Sequence, residues 1–180
     1  MDKHLIKLSK FLSLVLRHKL RKIGLSLDEG GWASVDELIQ RAREHGVPLD
    51  LETLQEVVEQ NDKQRFTISD DGRKIRANQG HSIPVDLGLE PMQPPDQLYH
   101  GTSSRFLESI KLHGIRRRKR HHVHLSPDRE TAFRVGQRHG WPVVLTVLAG
   151  RMHQSGYLFY LSANGVWLVS QVPPEFIVFP

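Results

Sequence analysis

The chain has 180 residues, of which 38% are apolar and 25% charged, and its formal net charge is +5. This length accommodates one medium domain or two small ones, and we expect two. The absence of cysteine excludes disulfides, thiolate zinc sites and cysteine nucleophiles. No apolar run is long enough to cross a bilayer and no signal-peptide pattern is present, so we expect a cytoplasmic protein with no membrane partner.

Charge is distributed unevenly along the chain. Lys and Arg outnumber Asp and Glu by seven to one in residues 1–27 and by eleven to five in residues 93–180. Acids outnumber bases by ten to two in residues 28–62. Two basic regions separated by an acidic one indicate two surfaces that bind one polyanion, with an affinity that falls as salt rises.

The N-terminal part of the sequence predicts three helices followed by a β-hairpin. A capping box at Ser34 and Glu37, in which each side chain bonds the other residue's backbone N–H, begins the second helix. The hairpin turns at Asp71-Gly72, a strong turn signal. This order is typical of a winged helix, with residues 30–32 as its short first strand. The predicted helices cover 4–19, about 35–44 and about 51–60, and the hairpin strands cover 65–68 and 74–76.

A proline-rich stretch over 82–95 predicts a linker, and we place the domain boundary near 92–97, which gives domains 1–92 and 93–180. The second domain is predicted to be rich in strands, so the fold class is α+β. Its predicted helices cover 105–112 and 128–135. Its first predicted strand ends at His100, and the other predicted strands cover 122–126, 143–148, 157–161, 166–169 and 176–179.

Residues 111–126 contain six Lys or Arg, four His and no acid. The run 116–119 is typical of a solvated basic loop. From Arg120 onward the polar residues alternate with Val123 and Leu125, which predicts a half-buried strand that holds polar side chains in fixed directions. The polar face of that strand consists of Arg120, His122 and His124.

Weaker signals have ordinary structural explanations. Arg17 and His18 end the first predicted helix, where the helix dipole favours a cation. His121, His122 and His124 suggest a metal, but adjacent strand residues point to opposite faces and Arg120 would repel a dication, so no metal is expected. Residues 135–140 contain too few glycines for a dinucleotide fingerprint, and we predict a turn there with weak anion-binding character.

Six segments occur in order along nearly the whole chain: LSKFLSLVLRH (8–18), NDKQRF (61–66), IRANQGHS (75–82), LYHGT (98–102), RHHVHLS (120–126) and VGQRHG (135–140). Together they closely resemble the NAD-dependent RNA 2′-phosphotransferases, the enzymes that finish fungal tRNA splicing. The resemblance implies a winged-helix RNA-binding lobe joined to a β-rich NAD-binding lobe of the ADP-ribosyltransferase fold.

The resemblance also implies site residues, matched one by one. The catalytic quartet corresponds to Arg17, His18, Arg65 and Arg120. The NAD-binding candidates are His100, Gly101, Thr102, His124, Ser126, Gly136 and Arg138, and spacing alone would allow His122 in place of His124. The RNA-binding candidates are Lys19, Arg76, Gln79 and His81, although Arg76 is explained equally well as a charge at a sheet edge.

The implied reaction transfers an internal RNA 2′-phosphate to NAD, a co-substrate, in two steps and without a metal. A 2′-phosphate is mostly a dianion at neutral pH and needs no base to attack NAD, whereas the second step moves a proton, a task that suits His18. We expect Arg17→Ala to weaken both steps and Arg120→Ala to stall after the first. The products are nicotinamide, RNA with a 2′-hydroxyl and ADP-ribose 1″,2″-cyclic phosphate.

Two other functions stay open at this point. ADP-ribosyltransferases that modify proteins commonly rely on a glutamate on a late strand, and Glu175 is the only acid that follows Glu130 in this sequence. An ADP-ribosyltransferase acting on another acceptor is therefore disfavoured. A noncatalytic winged-helix regulator that binds nucleic acid leaves the arginine set unexplained. The expected partners are 2′-phosphorylated RNA and NAD, and a monomer is expected because no long apolar seam is left over.

Overall fold

The structure is a computed structural model that describes residues 2–61, 63–83 and 85–180. The chain is a mixed α/β protein with small antiparallel sheets. It divides into two compact units, Met1–Gly88 and Leu89–Pro180, and this division precedes the boundary predicted near 92–97 by a few residues. Within the described ranges, no helix combines the length and the apolar character that crossing a membrane requires.

The first unit contains the three predicted helices and the predicted hairpin. Its elements are α1 (Lys3–Arg17), β1 (Ala33–Ser34), α2 (Val35–Glu44), α3 (Leu51–Gln60), β2 (Phe66–Ile68) and β3 (Lys74–Ala77). The three strands form one antiparallel sheet in the order β1-β3-β2, with Ala33 opposite Ile75 and Thr67 opposite Arg76. The first strand therefore lies just after the predicted residues 30–32, and β3 occupies the centre of the sheet.

Side-chain caps explain where two of these helices begin. Ser34 Oγ accepts from the Glu37 N–H at 3.3 Å, and Asp50 Oδ1 accepts from the Thr53 N–H at 2.7 Å. The reciprocal half of the predicted capping box is wrong, because Glu37 Oε1 accepts from the Ser26 N–H at 3.3 Å instead. Apolar side chains on one face of each helix then build the core, which includes Leu12, Leu16, Leu38, Leu54 and Ile75.

The second unit is richer in strands, as predicted. Its elements are β4 (Leu98–Ser103), α4 (Leu107–His113), β5 (Ile115–Arg116), β6 (Val123–Leu125), α5 (Arg129–Gln137), β7 (Pro142–Val147), α6 (Ala149–Gln154), β8 (Phe159–Leu161), β9 (Trp167–Val169), β10 (Gln171–Val172) and β11 (Ile177–Val178). Two three-stranded sheets have the orders β11-β7-β4 and β6-β9-β8, and β5 pairs with β10. The predicted end of the first strand at His100 is wrong, because β4 continues to Ser103 and pairs with β7 throughout.

Helix α5 lies directly on β4 because two glycines remove the side chains that would separate them. A Cβ atom on Gly101 would lie 1.7 Å from the Ala132 carbonyl oxygen, and one on Gly136 would lie 2.6 Å from the Thr102 carbonyl oxygen. The turn predicted for 135–140 is therefore wrong in its first half, since residues 135–137 belong to α5. The close contact of helix and strand outweighs the low helix propensity of Gly136.

Candidate active-site residues

Three candidate catalytic residues of the first unit contact one short segment, Asn78–Ser82, which follows β3. The Ser82 N–H donates to the Arg17 carbonyl at 3.0 Å, and the Asn78 N–H donates to the Arg65 carbonyl at 2.9 Å. The Ser82 hydroxyl hydrogen-bonds His18 Nδ1 at 2.8 Å. The 78–82 segment therefore brings together residues that lie far apart in the sequence.

Arg17 is the last residue of α1, and only 9% of its surface is exposed. Its guanidinium group lies against Gly80, where a Cβ atom would be 3.4 Å from both Cζ and Nε. Gly80 has a φ of +86°, a left-handed conformation that glycine adopts without steric cost. The 78–82 segment thus forms one wall against the Arg17 guanidinium. Its neighbour His18 is exposed.

Arg65 follows a strained residue. Gln64 has a φ of +45°, which is uncommon for a residue other than glycine and costs conformational energy. The buried Asn78 stabilises this conformation, because its Nδ2 donates to the Gln64 carbonyl and its Oδ1 accepts from the Thr67 hydroxyl at 2.6 Å. Sequence reasoning missed the positioning roles of Asn78 and Ser82, although both lie in the IRANQGHS segment that carries the family resemblance.

The RNA-binding candidates occupy different environments. Arg76 stacks on Trp32, with Cζ 4.5 Å from the ring centroid, and its Nη1 donates to the Gly30 carbonyl at 3.3 Å. Burial lowers the pKa of Arg76, and nearby Asp28 opposes that shift. The alternative explanation of Arg76 as a sheet-edge charge is wrong because β3 is the central strand. Lys19 is exposed, whereas Gln79 and His81 are buried.

In the second unit, Arg120, His124 and His100 form a chain of hydrogen bonds. Arg120 Nη1 donates to His124 Nδ1 at 3.1 Å, and His100 Nδ1 donates to the His124 carbonyl at 3.1 Å. Reciprocal backbone bonds of 2.8 Å between Tyr99 and Ser126 hold the start of β4 next to the residue that follows β6. The two predicted histidines are therefore neighbours in space.

These contacts indicate which ring nitrogen donates and which accepts in each imidazole. Burial lowers the pKa of His100, the bond to the His124 carbonyl raises it, and the charges of His139 and Arg120 lower it again. His100 is thus neutral at neutral pH, with a proton on Nδ1 and an acceptor at Nε2. His124 accepts at Nδ1, which places its proton on Nε2.

The other NAD-binding candidates lie nearby in the chain but have different surroundings. Thr102 is buried beside Gly136 at the contact of β4 and α5, and Arg138 is exposed at the end of α5. The buried hydroxyl of Ser103 has no hydrogen-bond partner in the part of the chain that the structure describes. Sequence reasoning did not single out Ser103, whose unsatisfied hydroxyl only the folded chain reveals.

His122 is the alternative to His124 that sequence spacing allowed. Its ring lies 5.5 Å from that of Tyr160 in a tilted arrangement, and burial lowers its pKa, followed by the charges of His121 and Arg117. Of the two histidines, His124 is the one that contacts both Arg120 and His100. Over residues 2–61, 63–83 and 85–180, no group of His, Cys, Asp or Glu side chains is arranged to hold a metal ion.

Comparison with known proteins gives one consistent result. The family model described as "RNA 2′-phosphotransferase, Tpt1 / KptA family" matches residues 3–171. A protein of Agrobacterium fabrum is 57% identical over 94% of this chain and 91% of its own length. A protein of Flavobacterium johnsoniae is 55% identical over 96% of this chain and 94% of its own length. A protein of Streptomyces griseus is 52% identical over 98% of this chain and 97% of its own length. All three are named "Probable RNA 2′-phosphotransferase".

Proposed function

The chain belongs to the RNA 2′-phosphotransferase, Tpt1/KptA family, and on that premise we propose that it transfers an internal RNA 2′-phosphate to NAD in two steps. The products are nicotinamide, RNA with a 2′-hydroxyl and ADP-ribose 1″,2″-cyclic phosphate. The observation that carries this proposal is the contact of Arg17, His18 and Arg65 with the single 78–82 segment.

Each unit has its own task in this proposal. The first unit is an RNA lobe of the winged-helix type, a role supported by its three helices and its three-stranded sheet with a hairpin. The second unit is an NAD lobe of the ADP-ribosyltransferase type, supported by its small antiparallel sheets and by the hydrogen-bonded chain of Arg120, His124 and His100.

In the first step, a 2′-phosphate oxygen forms a bond to the ribose carbon that carries nicotinamide. The second pKa of a phosphate monoester is about 6, so the attacking oxygen is already ionised at neutral pH and the protein supplies no base. When bound, NAD supplies the electrophilic ribose carbon, and nicotinamide leaves with the electrons of the broken bond. Arg17 and Arg65 orient the phosphate through charge-assisted hydrogen bonds from their guanidinium groups.

In the second step, a ribose 2″-hydroxyl attacks the phosphorus, and the bond from phosphorus to the RNA 2′-oxygen breaks. The attacking hydroxyl loses a proton and the departing oxygen gains one, so the charge balances. An imidazole carries both a proton donor and a proton acceptor, so His18 can pass a proton between these oxygens, and its bond to Ser82 fixes the direction of its ring. Arg120, oriented by His124, stabilises the additional charge on the phosphate in the transition state.

One reaction tests this proposal. Purified protein is incubated with an RNA oligonucleotide that carries one internal 2′-phosphate, with and without NAD, in the presence of a chelator. We expect loss of the 2′-phosphate and release of nicotinamide only when NAD is present. The variant Arg65→Lys keeps the charge but removes the two-pronged guanidinium donor, and it should be much slower. NAD consumption that requires a protein acceptor, or no reaction at all, contradicts the proposal.

A further inference from the structure

Four consecutive exposed cations precede Arg120 in the chain. We call Arg116–Lys119 the basic turn. All four of its side chains are exposed, and none forms an ion pair with a carboxylate in the ranges that the structure describes. The one acid of the preceding helix α4, Glu108, is engaged by Lys111. The charge of the basic turn is therefore not neutralised within this part of the chain.

The basic turn has a defined conformation. The Arg120 N–H donates to the Arg117 carbonyl at 3.1 Å, and Arg117 Nη1 donates to the Arg120 carbonyl at 2.8 Å. Arg118 between them has a φ of +54°, a conformation that residues other than glycine adopt at a cost. On the N-terminal side, Arg116 pairs with Gln171 in the β5–β10 ladder. A merely solvated loop would need none of these restraints.

The ring of Phe106 anchors two cations next to each other. Arg105 Cζ lies 4.7 Å and Arg118 Cζ lies 5.3 Å from the centroid of this ring. Each such contact is weakly favourable at an exposed site. The two like charges repel each other. The fold thus holds like charges together, and a bound polyanion would offset their repulsion.

We propose that the basic turn binds the phosphodiester backbone of the RNA strand next to the nucleotide that carries the 2′-phosphate. This inference rests on the proposed function, because it takes RNA as the substrate and places the 2′-phosphate at Arg120. A strand that reaches Arg120 has its next phosphates beside the basic turn, since Arg117 and Arg120 are bonded to each other in both directions. Contacts to phosphates position a strand without reading its sequence.

An extended polyanion fits the basic turn better than a single small anion does. Its cations occupy consecutive positions on an exposed surface and are not gathered around one enclosed point. Successive phosphates of a single strand can each neutralise one or two of them, and each neutralised phosphate releases counterions. The pyrophosphate of NAD is the other anion in the reaction, and the KM for NAD, measured for a variant of the basic turn, distinguishes it from the RNA strand.

The test removes charge from the basic turn while keeping its conformation. In the variant Arg118→Asn/Lys119→Gln, asparagine is among the residues that tolerate a positive φ, so the turn is retained. The control Arg134→Gln/Arg151→Gln removes the same charge from exposed sites on α5 and α6 of the same unit. Binding of fluorescent RNA is measured by anisotropy, without NAD, over a series of salt concentrations.

Two RNAs are compared, one of about 12 nucleotides with an internal 2′-phosphate and a 2′-phosphorylated dinucleotide. For the longer RNA, we expect the basic-turn variant to bind more weakly. Its slope of log Kd against log salt should decrease by about 0.7 for each phosphate that the variant no longer neutralises. For the dinucleotide, the affinity should match that of the wild type. The control variant should match the wild type with both RNAs.

Three results would overturn the inference: an equal loss of affinity with the control variant, an equal loss with the dinucleotide, or an unchanged salt slope with the longer RNA. A raised KM for NAD with normal RNA binding would assign the basic turn to the pyrophosphate and would also overturn it. The proposed function fails separately, if the wild-type protein binds the RNA but does not transfer its 2′-phosphate to NAD.

Discussion

Gly80 offers the most direct test of the cluster in the first unit. The substitution Gly80→Ala places a methyl group 3.4 Å from Cζ and Nε of Arg17, at the short end of ordinary van der Waals contact, so the guanidinium loses its room on that side and any shift is a few tenths of an ångström at most. It also forces alanine into a φ of +86°, which costs roughly 1–2 kcal/mol of stability. A misplacement of 1 Å at a catalytic group costs about a hundredfold in rate. For this smaller shift we expect kcat to fall by about tenfold.

Gly46 and Gly72 separate the backbone effect from the effect on Arg17. Both have a positive φ, +79° and +73°, but a Cβ atom on either one would meet nothing within 4 Å. Gly46→Ala and Gly72→Ala should therefore lower the free energy of unfolding as much as Gly80→Ala does, yet keep the wild-type kcat. Denaturant unfolding and steady-state kinetics with 2′-phosphorylated RNA and NAD measure the two effects.

A double-mutant cycle links the lower rate to the guanidinium. Arg17→Ala should lower the rate by about 10²–10³. Adding Gly80→Ala to that variant should change the rate little further, because the group that the methyl displaces is already absent. A wild-type kcat for Gly80→Ala, or additive effects in the cycle, would refute the argument that Gly80 acts by positioning Arg17.

Three further predictions concern the histidines and Arg120. Ser82→Ala should lower kcat by about two- to tenfold and alter the pH profile of the rate, because His18 loses a hydrogen bond, while Ser82→Thr should restore both. Arg120→Ala should accumulate RNA with an ADP-ribosylated 2′-phosphate in a single turnover, and equal slowing of both steps would contradict its assignment to the second step. Because the pKa of folded His100 is lowered, the unfolded chain binds more protons, and the stability present above about pH 6.5 is lost on acidification through that lowered pKa. His100→Asn retains an N–H donor but does not titrate, so its free energy of unfolding should depend less on pH below about 6.5, and an equal dependence would show that His100 is not responsible.

Local signals predicted the elements of the first unit well. Helix α2 begins where Ser34 can cap it, α3 begins after Asp50, and the Asp71-Gly72 turn joins two strands of alternating character. Each of these signals acts between residues that are close in the sequence, so the local sequence is enough to predict the helix start or the turn. The predicted bond from the Ser34 N–H to the Glu37 side chain is wrong because Ser26, which lies outside that range, donates its N–H to Glu37 instead.

Elements that depend on distant contacts were missed. Gly136 predicted a turn, and only its contact with Thr102 on β4 explains why a helix accepts it. Helix α6 contains Gly150, whose N–H donates to the Asp96 carbonyl and where a Cβ atom would lie 2.8 Å from Asp96 Oδ1. The two-residue strands β5 and β10 exist only as partners of each other. No local pattern reports such contacts.

The candidate site shows the same limit. The family resemblance named the side chains that carry charge, but it did not name Asn78, Gly80 and Ser82 as the residues that position them. Those roles follow from backbone geometry and from hydrogen bonds to Arg65 and His18, which a sequence does not display.

The acids of the second unit bear on the chemistry of the acceptor. Every one of the five acids between residues 93 and 180 either has a structural contact or lies exposed on a short helix. Asp96 contacts Gly150, Asp128 caps α5, Glu108 and Glu130 pair with Lys111 and Arg134, and Glu175 lies in the short helix Pro174–Phe176. A neutral acceptor such as a hydroxyl must lose a proton when it attacks, and a nearby carboxylate commonly takes that proton. A phosphate arrives already ionised and needs no such base, so the engagement of Asp96, Asp128, Glu108 and Glu130 in other contacts agrees with the phosphate acceptor of the proposed function.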